Sequence, residues 1–278
     1  METLKNCPVC NQDKFNPFLS CVDYTVSRET FQIVQCAACG FRFTNPRPDE
    51  NEIGKYYQAE EYISHSDTSK GIVNKLYQIV RNHTIKQKVK LINQLVKSQK
   101  SVRKDSFGEV KSLLDIGCGT GEFLNACKEN GWNVTGIEPS EIARKNAEQK
   151  YGIKPLPQEK LFEISERKFN VITLWHVLEH IYQLDKTIDQ IKKIIADNGT
   201  LIVAVPNCNS FDAKRSPPPI LKHCNTNSGS FFNLSLIFII TSPLFSTSLF
   251  KNSKINSLLS FISSEAYLKL VISFSVDK

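Results

Sequence analysis

The sequence predicts an α/β fold with a doubly wound, mostly parallel sheet, preceded by a small zinc ribbon. Two observations carry this prediction. Between residues 112 and 205, apolar strand patterns alternate with helical patterns, which is typical of a parallel sheet covered on both faces. Near the N-terminus, two C-x-x-C pairs lie about 25 residues apart, the arrangement of a four-cysteine zinc site.

Length and composition fit a folded protein of more than one module. The chain has 278 residues, of which 41% are hydrophobic and 23% charged. Its net charge of +7 is concentrated between Lys70 and Lys111. A solvated helix face explains this excess more simply than a nucleic-acid or anionic-substrate surface. No basic segment followed by an apolar one opens the sequence, so we expect a cytoplasmic protein.

The predicted ribbon covers residues 1–48. Each C-x-x-C turn directs two thiolates towards one point, and a strand pattern, FQIVQC at 31–36, leads into the second turn. With all four ligands supplied by cysteine, the zinc would be structural. Cys21 lies between the pairs at no ligand spacing and is interpreted as a packing residue. The predicted metal ligands are Cys7, Cys10, Cys36 and Cys39.

A connector is predicted over residues 49–107. It follows an NPRP segment at 45–48 and contains a tyrosine-rich stretch with Tyr56, Tyr57 and Tyr62. Apolar residues at helical spacing predict one or two amphipathic helices over 72–100, docked on the sheet. A polar loop is expected at 98–108.

The segment 112–124 predicts a ligand-binding turn. Leu113, Leu114 and Ile116 form a buried strand that runs into glycines at 117, 119 and 121 and then into a helix. This G-x-G-x-G spacing differs from the G-x-G-x-x-G dinucleotide fingerprint. Residues without a Cβ let the backbone approach a ligand closely. Asp115, at the end of the strand, is placed to accept hydrogen bonds from a cationic group.

A second strand, 133–138, ends in Glu138. Ligands bind at the carboxyl ends of the strands in a parallel sheet, so this carboxylate is placed to accept ribose hydroxyls. The later elements follow in alternation: helices from 122 to 130, from Ser140 to 150 and from Asp185 to 196, and strands at 153–156, 169–174 and 201–205, with a turn at 197–199.

These motifs resemble those of class I S-adenosylmethionine-dependent methyltransferases, through LLDIGCGTGEFL at 113–124 and VTGIEPS at 134–140. The resemblance covers roughly 108–207 and implies a Rossmann-like sheet in a catalytic domain over 108–213. It implies that the glycine turn holds the methionine end of the cofactor and that Glu138 holds its ribose. The expected cofactor-binding residues are Asp115, Gly117, Cys118, Gly119, Thr120, Gly121, Glu138, Pro139 and Trp175.

The N-terminal part is similar to bacterial methyltransferases in which a zinc ribbon, an NPRP segment and tyrosines precede the catalytic domain. In that family the segment is expected to cap the active site. Simple packing between modules explains the tyrosines equally well.

The motif Trp175-His-Val-Leu-Glu-His180 follows the strand at 169–174. Trp175 is placed to cover the adenine or the sulfonium, whose positive charge an aromatic face favours. His176 and His180 are the candidate catalytic residues, as general bases. A purely structural role for His180, or catalysis by positioning alone, stays open.

Two further interpretations concern the same motif. His176, Glu179 and His180 match H-x-x-E-H, an inverted zinc-protease signature, but that motif requires the interior of a helix. Ubiquinone-pathway O-methyltransferases and small-RNA 2′-O-methyltransferases carry E-x-x-E-H here, which binds a divalent cation. His176 replaces the first Glu, which puts that role in doubt. Asn170 also departs from the family's usual acid, with an expected local effect only.

The predicted tail, 214–278, has an unusual composition. Pro217, Pro218 and Pro219 are consecutive, and serine is abundant while acids nearly vanish. We therefore expect the closing C-terminal hairpin to be missing and the tail to be out of frame or disordered. The apolar run 231–240 is a weak candidate for a membrane span.

Together these features predict an S-adenosylmethionine-dependent methyltransferase that contains structural zinc and acts on a small-molecule, carbohydrate or lipid intermediate. One alternative is an RNA methyltransferase that grips phosphates with the ribbon and the basic helix, although aromatic residues are not interleaved with the bases. The other is an inactive cofactor-binding remnant of a truncated enzyme. A membrane partner is not expected.

Overall fold

The computed structural model describes residues 1–24, 26–56, 72–100, 111–166, 169–206, 233–241 and 271–275. Within these residues the chain forms two sheets. The first is antiparallel with strand order β1-β2-β3 and contains β1 (Phe15–Val22), β2 (Thr30–Cys36) and β3 (Arg42–Thr44). These strands and the two cysteine turns beside them form the ribbon.

The second sheet has six strands in the order β5-β4-β6-β7-β8-β9. Its first four strands are parallel, which confirms the predicted doubly wound α/β class. The chain leaves the central strand β4 for β5 on one side and then crosses to β6 on the other, so the strand order reverses beside β4. The strands are β4 (Ser112–Ile116), β5 (Asn133–Ile137), β6 (Phe169–Trp175), β7 (Ile195–Pro206), β8 (Asn233–Thr241) and β9 (Val271–Ser275).

Four α-helices are described: α1 (Ile72–Lys100), α2 (Glu122–Glu129), α3 (Glu141–Tyr151) and α4 (Leu184–Ile194). The predicted caps of α3 are confirmed. The Ser140 hydroxyl accepts the Ala143 N–H at 3.2 Å, and Gly152 ends the helix at φ 61°.

Several predicted boundaries differ from those observed. Helix α4 begins one residue before Asp185, with Gln183 at the cap position, because Leu184 packs against the core. It ends at Ile194, where the chain passes directly into β7, so the predicted turn at 197–199 lies within that strand. The predicted strand at 153–156 is reduced to one bridge between Ile137 and Leu156. Helix α1 is a single helix that extends through Lys100 into the predicted loop.

The two faces of the sheet bury different layers, because successive strand residues point to opposite sides. On one face, Leu113 and Val171 lie in the cluster formed with helices α1 and α2. On the other, Leu114 and Ile172 lie in the cluster formed with α4. The α4 cluster continues into the ribbon through Cys7, Val9 and Cys36.

The expectation of a missing C-terminal hairpin is wrong. Strand β8 pairs antiparallel with β7 over Thr200–Pro206, and β9 pairs antiparallel with β8. The run NLSLIFIIT is rich in apolar and β-branched residues, and it satisfies the backbone groups that the edge of β7 would otherwise leave unpaired. The weak membrane-span candidate is therefore a strand over 233–241. Among the described residues, no helix has the length and apolar character needed to cross a bilayer.

Candidate functional site: the carboxyl edge of the sheet and the cysteine cluster

The glycine turn after β4 is held in a conformation that requires glycine. Gly117 has φ 75°, and a Cβ on it would lie 2.3 Å from Cγ2 of Val177. Its N–H donates to the Ile137 carbonyl at 2.7 Å, so the turn is also fixed to β5. Gly119 has φ 54°, but a Cβ there would meet no heavy atom within 4 Å. The backbone at Gly119 therefore faces open space, as an approach surface for a ligand requires.

Glu138 joins the turns that follow β4 and β5. Its carboxylate accepts the Gly119 N–H at 2.7 Å through Oε2 and the Ser140 N–H at 3.0 Å through Oε1. The side chain of Arg144 donates to the backbone carbonyls of Glu138 and Pro139, both at 2.6 Å. The carboxylate is 8% exposed and is thus oriented by the backbone of both turns.

Asp115 is the most deeply buried of the predicted site residues that carry a carboxylate, with 3% exposure. Burial raises its pKa to about 7, while a hydrogen bond from the Thr173 hydroxyl at 2.6 Å and the positive charge of Lys88 act in the opposite direction. A cation near this carboxylate would favour its ionised form. Asp115 is therefore suited to respond to a positively charged group.

The start of α2 carries an ion pair with α1. The Thr120 hydroxyl donates to Glu122 at 2.6 Å, and Arg81 pairs with the same carboxylate oxygen at 3.0 Å. Beside them, Cys118 is buried, and this burial raises the pKa of its thiol. Helix α1 thus contributes to the wall of the site, a position that the sequence did not reveal.

Trp175 ends β6 and faces α1. The ammonium of Lys88 lies 4.4 Å from the centroid of its ring, and Phe123 packs edge-on against it at 5.7 Å. The ring therefore already accommodates a cation, which is the interaction predicted for a sulfonium. Its indole Nε1 is buried and has no hydrogen-bond partner within the described ranges.

The His176–His180 motif forms a short turn between β6 and α4. His176 has a left-handed φ of 57°, and Leu178–His180 is a single 3₁₀ turn. Both imidazoles lie near one oxygen of Glu179, at 3.8 Å for His176 Nδ1 and 3.9 Å for His180 Nε2. Since the motif is not in the interior of an α-helix, the geometry argues against the zinc-protease interpretation.

Burial shifts the pKa values of two residues in this motif, Glu179 and His180. It raises the pKa of Glu179 to about 7 and lowers the pKa of His180. His180 is consequently neutral at pH 7, the form that a general base requires.

The four predicted zinc ligands converge in the ribbon. Their sulfur atoms all lie within 4.8 Å of one another, with Cys7 and Cys39 at 3.7 Å and Cys10 and Cys36 at 3.4 Å. Tetrahedral Zn–S bonds of about 2.3 Å require sulfur atoms about 3.8 Å apart, so the cluster could hold zinc. Among the residues described, it is the one group of three or more His, Cys, Asp or Glu side chains whose ligand atoms lie close enough together to hold a metal ion.

The two cysteine turns are built alike. The Asn11 N–H donates to the Cys7 carbonyl at 2.9 Å, and the Gly40 N–H donates to the Cys36 carbonyl at 3.0 Å. Asn11 and Gly40 both have left-handed φ values, 59° and 73°. Burial acts to raise the pKa of Cys36. Hydrogen bonds from the N–H groups of Cys39 and Ala38 and from the Cys10 and Cys39 thiols together lower it to about 7. This favours the thiolate that a metal requires.

The connector residues were predicted either to cap the site or to pack between modules. Tyr56 packs on Phe31 of the ribbon and donates to Glu29 at 2.5 Å, which is a packing role. Tyr57 and Tyr62 lie outside the described residues. From the NPRP segment, Arg47 reaches Tyr182, next to the histidine motif.

The opposite, amino edge of the sheet is closed by polar bonds. Asn170 Oδ1 accepts from the backbone N–H of Ser112 at 2.9 Å and from its hydroxyl at 3.0 Å. A cavity of about 320 Å³ opens near this edge, between Asn133, Ile164 and Phe169. It lies away from the residues predicted to bind the cofactor.

Known proteins give an independent comparison. The family described as "Methyltransferase domain" matches residues 81–235, more than half of the chain. A ubiquinone biosynthesis O-methyltransferase from Actinobacillus pleuropneumoniae serotype 7 is 32% identical over 108 residues, covering 35% of this chain and 46% of the relative. Its counterpart from Caulobacter sp. K31 is 32% identical over 102 residues, covering 34% and 40%. The chain thus spans less than half the length of these curated relatives.

The solved structures include an S-adenosylmethionine-dependent methyltransferase from Archaeoglobus fulgidus, with 24% identity, a TM-score of 0.35 and coverage of 47% of this chain and 66% of that one. The parallel sheet, the glycine turn and the strand-end carboxylates define a class I, Rossmann-like fold. By its family match, the chain belongs to the methyltransferase-domain family, whose cofactor is S-adenosylmethionine.

The structure brings the predicted residues of the carboxyl edge together and keeps the cysteine cluster apart in the ribbon. Thr173 and Lys88 were not predicted. A polar residue inside the apolar strand VITLW was a signal for Thr173, because buried hydroxyls need partners. Lys88 is one of many lysines of α1, and no sequence pattern distinguishes it from the others.

Proposed function

We propose that the chain is an S-adenosylmethionine-dependent methyltransferase that acts on a small-molecule acceptor of the lipid-intermediate type. The observation that carries this proposal is the carboxylate of Glu138, which joins the glycine turn to the turn after β5 at the carboxyl edge of the sheet. The ubiquinone biosynthesis O-methyltransferases among its relatives support the acceptor class.

In this proposal the glycine turn, including Cys118 and Thr120, receives the methionine end of the cofactor. Asp115 faces its cationic groups. Glu138 accepts the ribose hydroxyls, since each oxygen of a carboxylate can accept more than one hydrogen bond. Pro139 borders the ribose, and Trp175 covers the adenine or the sulfonium.

His176 and His180 are the candidate general bases for the acceptor hydroxyl. The lowered pKa of His180 favours it, because its imidazole stays neutral near pH 7. Methyl transfer itself needs chiefly an aligned acceptor and sulfonium, so the protein's main contribution would be positioning. Zinc in the ribbon would have a structural role, held by Cys7, Cys10, Cys36 and Cys39.

We also propose the division into a ribbon (1–48), a connector (49–107), a catalytic domain (108–213) and a tail (214–278). The two strands that the tail adds to the sheet support an intact enzyme over an inactive remnant.

The test is cofactor binding by Glu138→Ala, measured by calorimetry. Two charge-assisted bonds at about 1.5 kcal/mol each predict affinity about a hundredfold weaker. Glu138→Gln keeps one carbonyl oxygen as an acceptor, so its affinity for the cofactor should fall by about tenfold. Glu148→Ala, which removes an exposed carboxylate paired with Lys154, is the matched control and should bind normally. Unchanged affinity in Glu138→Ala would place the ribose elsewhere.

A further inference from the structure

Tyr182 lies two residues after His180, and ribbon residues hold three parts of it. The Arg47 guanidinium lies 4.0 Å from the centroid of its ring. Arg47 Nη1 donates to the Tyr182 backbone carbonyl at 3.4 Å. The Tyr182 hydroxyl donates to Oε2 of Glu2, and the same oxygen pairs with Arg47 Nε at 3.1 Å. We call Glu2, Arg47 and Tyr182 the Tyr182 clamp.

The ribbon side of the clamp is itself fixed by backbone bonds. The Glu2 N–H donates to the Arg47 carbonyl at 2.7 Å, and the Arg47 N–H donates to the Glu2 carbonyl at 2.8 Å. The hydrogen bond from Tyr182 lowers the pKa of Glu2, which keeps that carboxylate ionised. Beside the clamp, Gln183 donates to Glu50, a second bond from the connector to the same loop.

Other contacts anchor the same loop, because Val177, Leu178 and Ile181 pack against the core cluster that contains α4. At its start, the His176 N–H donates to the Ala204 carbonyl of β7 at 2.9 Å. His176 itself is in the left-handed region, which costs a non-glycine residue about 1 kcal/mol or more. Val177 then contacts the glycine turn at Gly117. A left-handed conformation persists where the surroundings hold it. The clamp adds a further anchor at the other end of the loop.

We propose that Arg47 is a positioning residue: through the Tyr182 clamp, the ribbon holds the His176–His180 loop in place against the glycine turn. This inference rests on the proposed function for its catalytic meaning. The ribbon then helps to shape the part of the site that receives the methyl acceptor. A loosened clamp would disturb the positions of the His176 and His180 imidazoles and leave the hydrogen bonds of Glu138 intact.

The first test is hydrogen exchange of the backbone amides of residues 177–183 in the full-length protein. Arg47→Met removes the stacked charge and both of its bonds, and the exchange of these amides should rise about five- to thirtyfold. Arg47→Lys keeps a cation over the ring of Tyr182, so the exchange of these amides should rise less in this variant. Arg42→Met is the matched control, because it removes an arginine stacked on Phe18 at 3.9 Å within the ribbon. It should leave these amides unchanged.

The second test is an NMR titration of His180, assigned with His180→Gln. Burial lowers the pKa of His180, so a loosened loop should move it back towards the ordinary value in Arg47→Met and not in Arg42→Met. Unchanged exchange and titration in Arg47→Met, or equal changes in the two arginine variants, would overturn the clamp.

Calorimetry with S-adenosylmethionine separates this inference from the proposed function. Arg47→Met should bind the cofactor within about twofold of the wild-type affinity, because the contacts of Glu138 are untouched. Affinity lost together with the loop contacts would contradict the clamp. If the wild-type protein does not bind the cofactor, the proposed function fails, and the exchange data still decide whether the clamp holds the loop.

Discussion

The ribbon and the parallel sheet are stabilised by different means. In the described part of the ribbon, the buried hydrophobic residues are Cys7, Val9 and Cys36, and two of these three are predicted zinc ligands. In the sheet, by contrast, Leu113 and Leu114 are completely buried between helical layers. We therefore predict that the ribbon depends on metal ligation, whereas apolar burial stabilises the sheet.

Because of this difference, we expect removal of zinc to unfold the ribbon alone and changes in apolar packing to destabilise the sheet alone. Small domains with little apolar core commonly need a metal or disulfides, and the ribbon fits that class. The polar contacts around Arg47, together with the packing of Cys7, Val9 and Cys36 on the α4 cluster, join the two modules. Three experiments test whether the two modules differ in this way.

The largest expected effect is the loss of zinc from Cys36→Ser. Zinc binding to a structural four-ligand site contributes roughly 10 kcal/mol or more, so the ribbon should unfold without it. Elemental analysis should find one zinc per wild-type chain and none in the variant, and hydrogen exchange should show protection lost in β1–β3 and kept in β4–β7. Cys21→Ser, at a half-buried non-ligand cysteine, should keep the metal. Zinc retained by Cys36→Ser would contradict the site.

A smaller effect is expected within the sheet from Gly117→Ala. Its left-handed φ costs about 1–2 kcal/mol, and the overlap with Val177 adds about 1–3 kcal/mol. Denaturant unfolding should therefore show a loss of about 2–5 kcal/mol. Gly119 also has a left-handed φ, but a Cβ there would meet no neighbouring atom. Gly119→Ala should therefore lose only about 1–2 kcal/mol of stability.

The double variant Gly117→Ala/Val177→Ala separates the two contributions. Its loss of unfolding free energy should be smaller than the sum of the losses in Gly117→Ala and Val177→Ala. The reason is that the methyl group added at position 117 has room once Val177 is shortened. Equal losses for Gly117→Ala and Gly119→Ala would show that Val177 does not constrain the turn.

The third effect is a pH dependence from Asp115. Its raised pKa means that the folded state binds a proton between about pH 4 and pH 7 that the unfolded state releases. Asp115 therefore makes stability fall as pH rises through that window, by at most about 1.4 kcal/mol per unit, with the full cost above about pH 7. Asp115→Asn should flatten the slope in ligand-free protein, and the exposed Asp189→Asn should not. An unchanged slope in Asp115→Asn would assign the dependence to other groups.

The fold of the central domain was largely predictable, because local chemistry and global structure agree there. Alternating apolar strands, the Ser140 cap and the glycine at 152 each predicted an element that the structure confirms. The boundaries of α4 and β7 were not predictable, since Leu184 is drawn into the helix by packing against residues distant in sequence. The unusual composition of the tail predicted no strands, although β7 offered a free edge for β8.

The candidate site residues could be predicted from the sequence: the four cysteines, the glycine turn, the strand-end carboxylates and the histidine motif. Their spacing carries that information, because each motif is local in the chain. How these parts face one another follows from the tertiary structure. Burial sets the pKa of Asp115, Lys88 reaches Trp175 from another helix, and Arg47 meets Tyr182 across 135 positions of sequence. Such contacts depend on packing between distant segments, and a local pattern does not encode them.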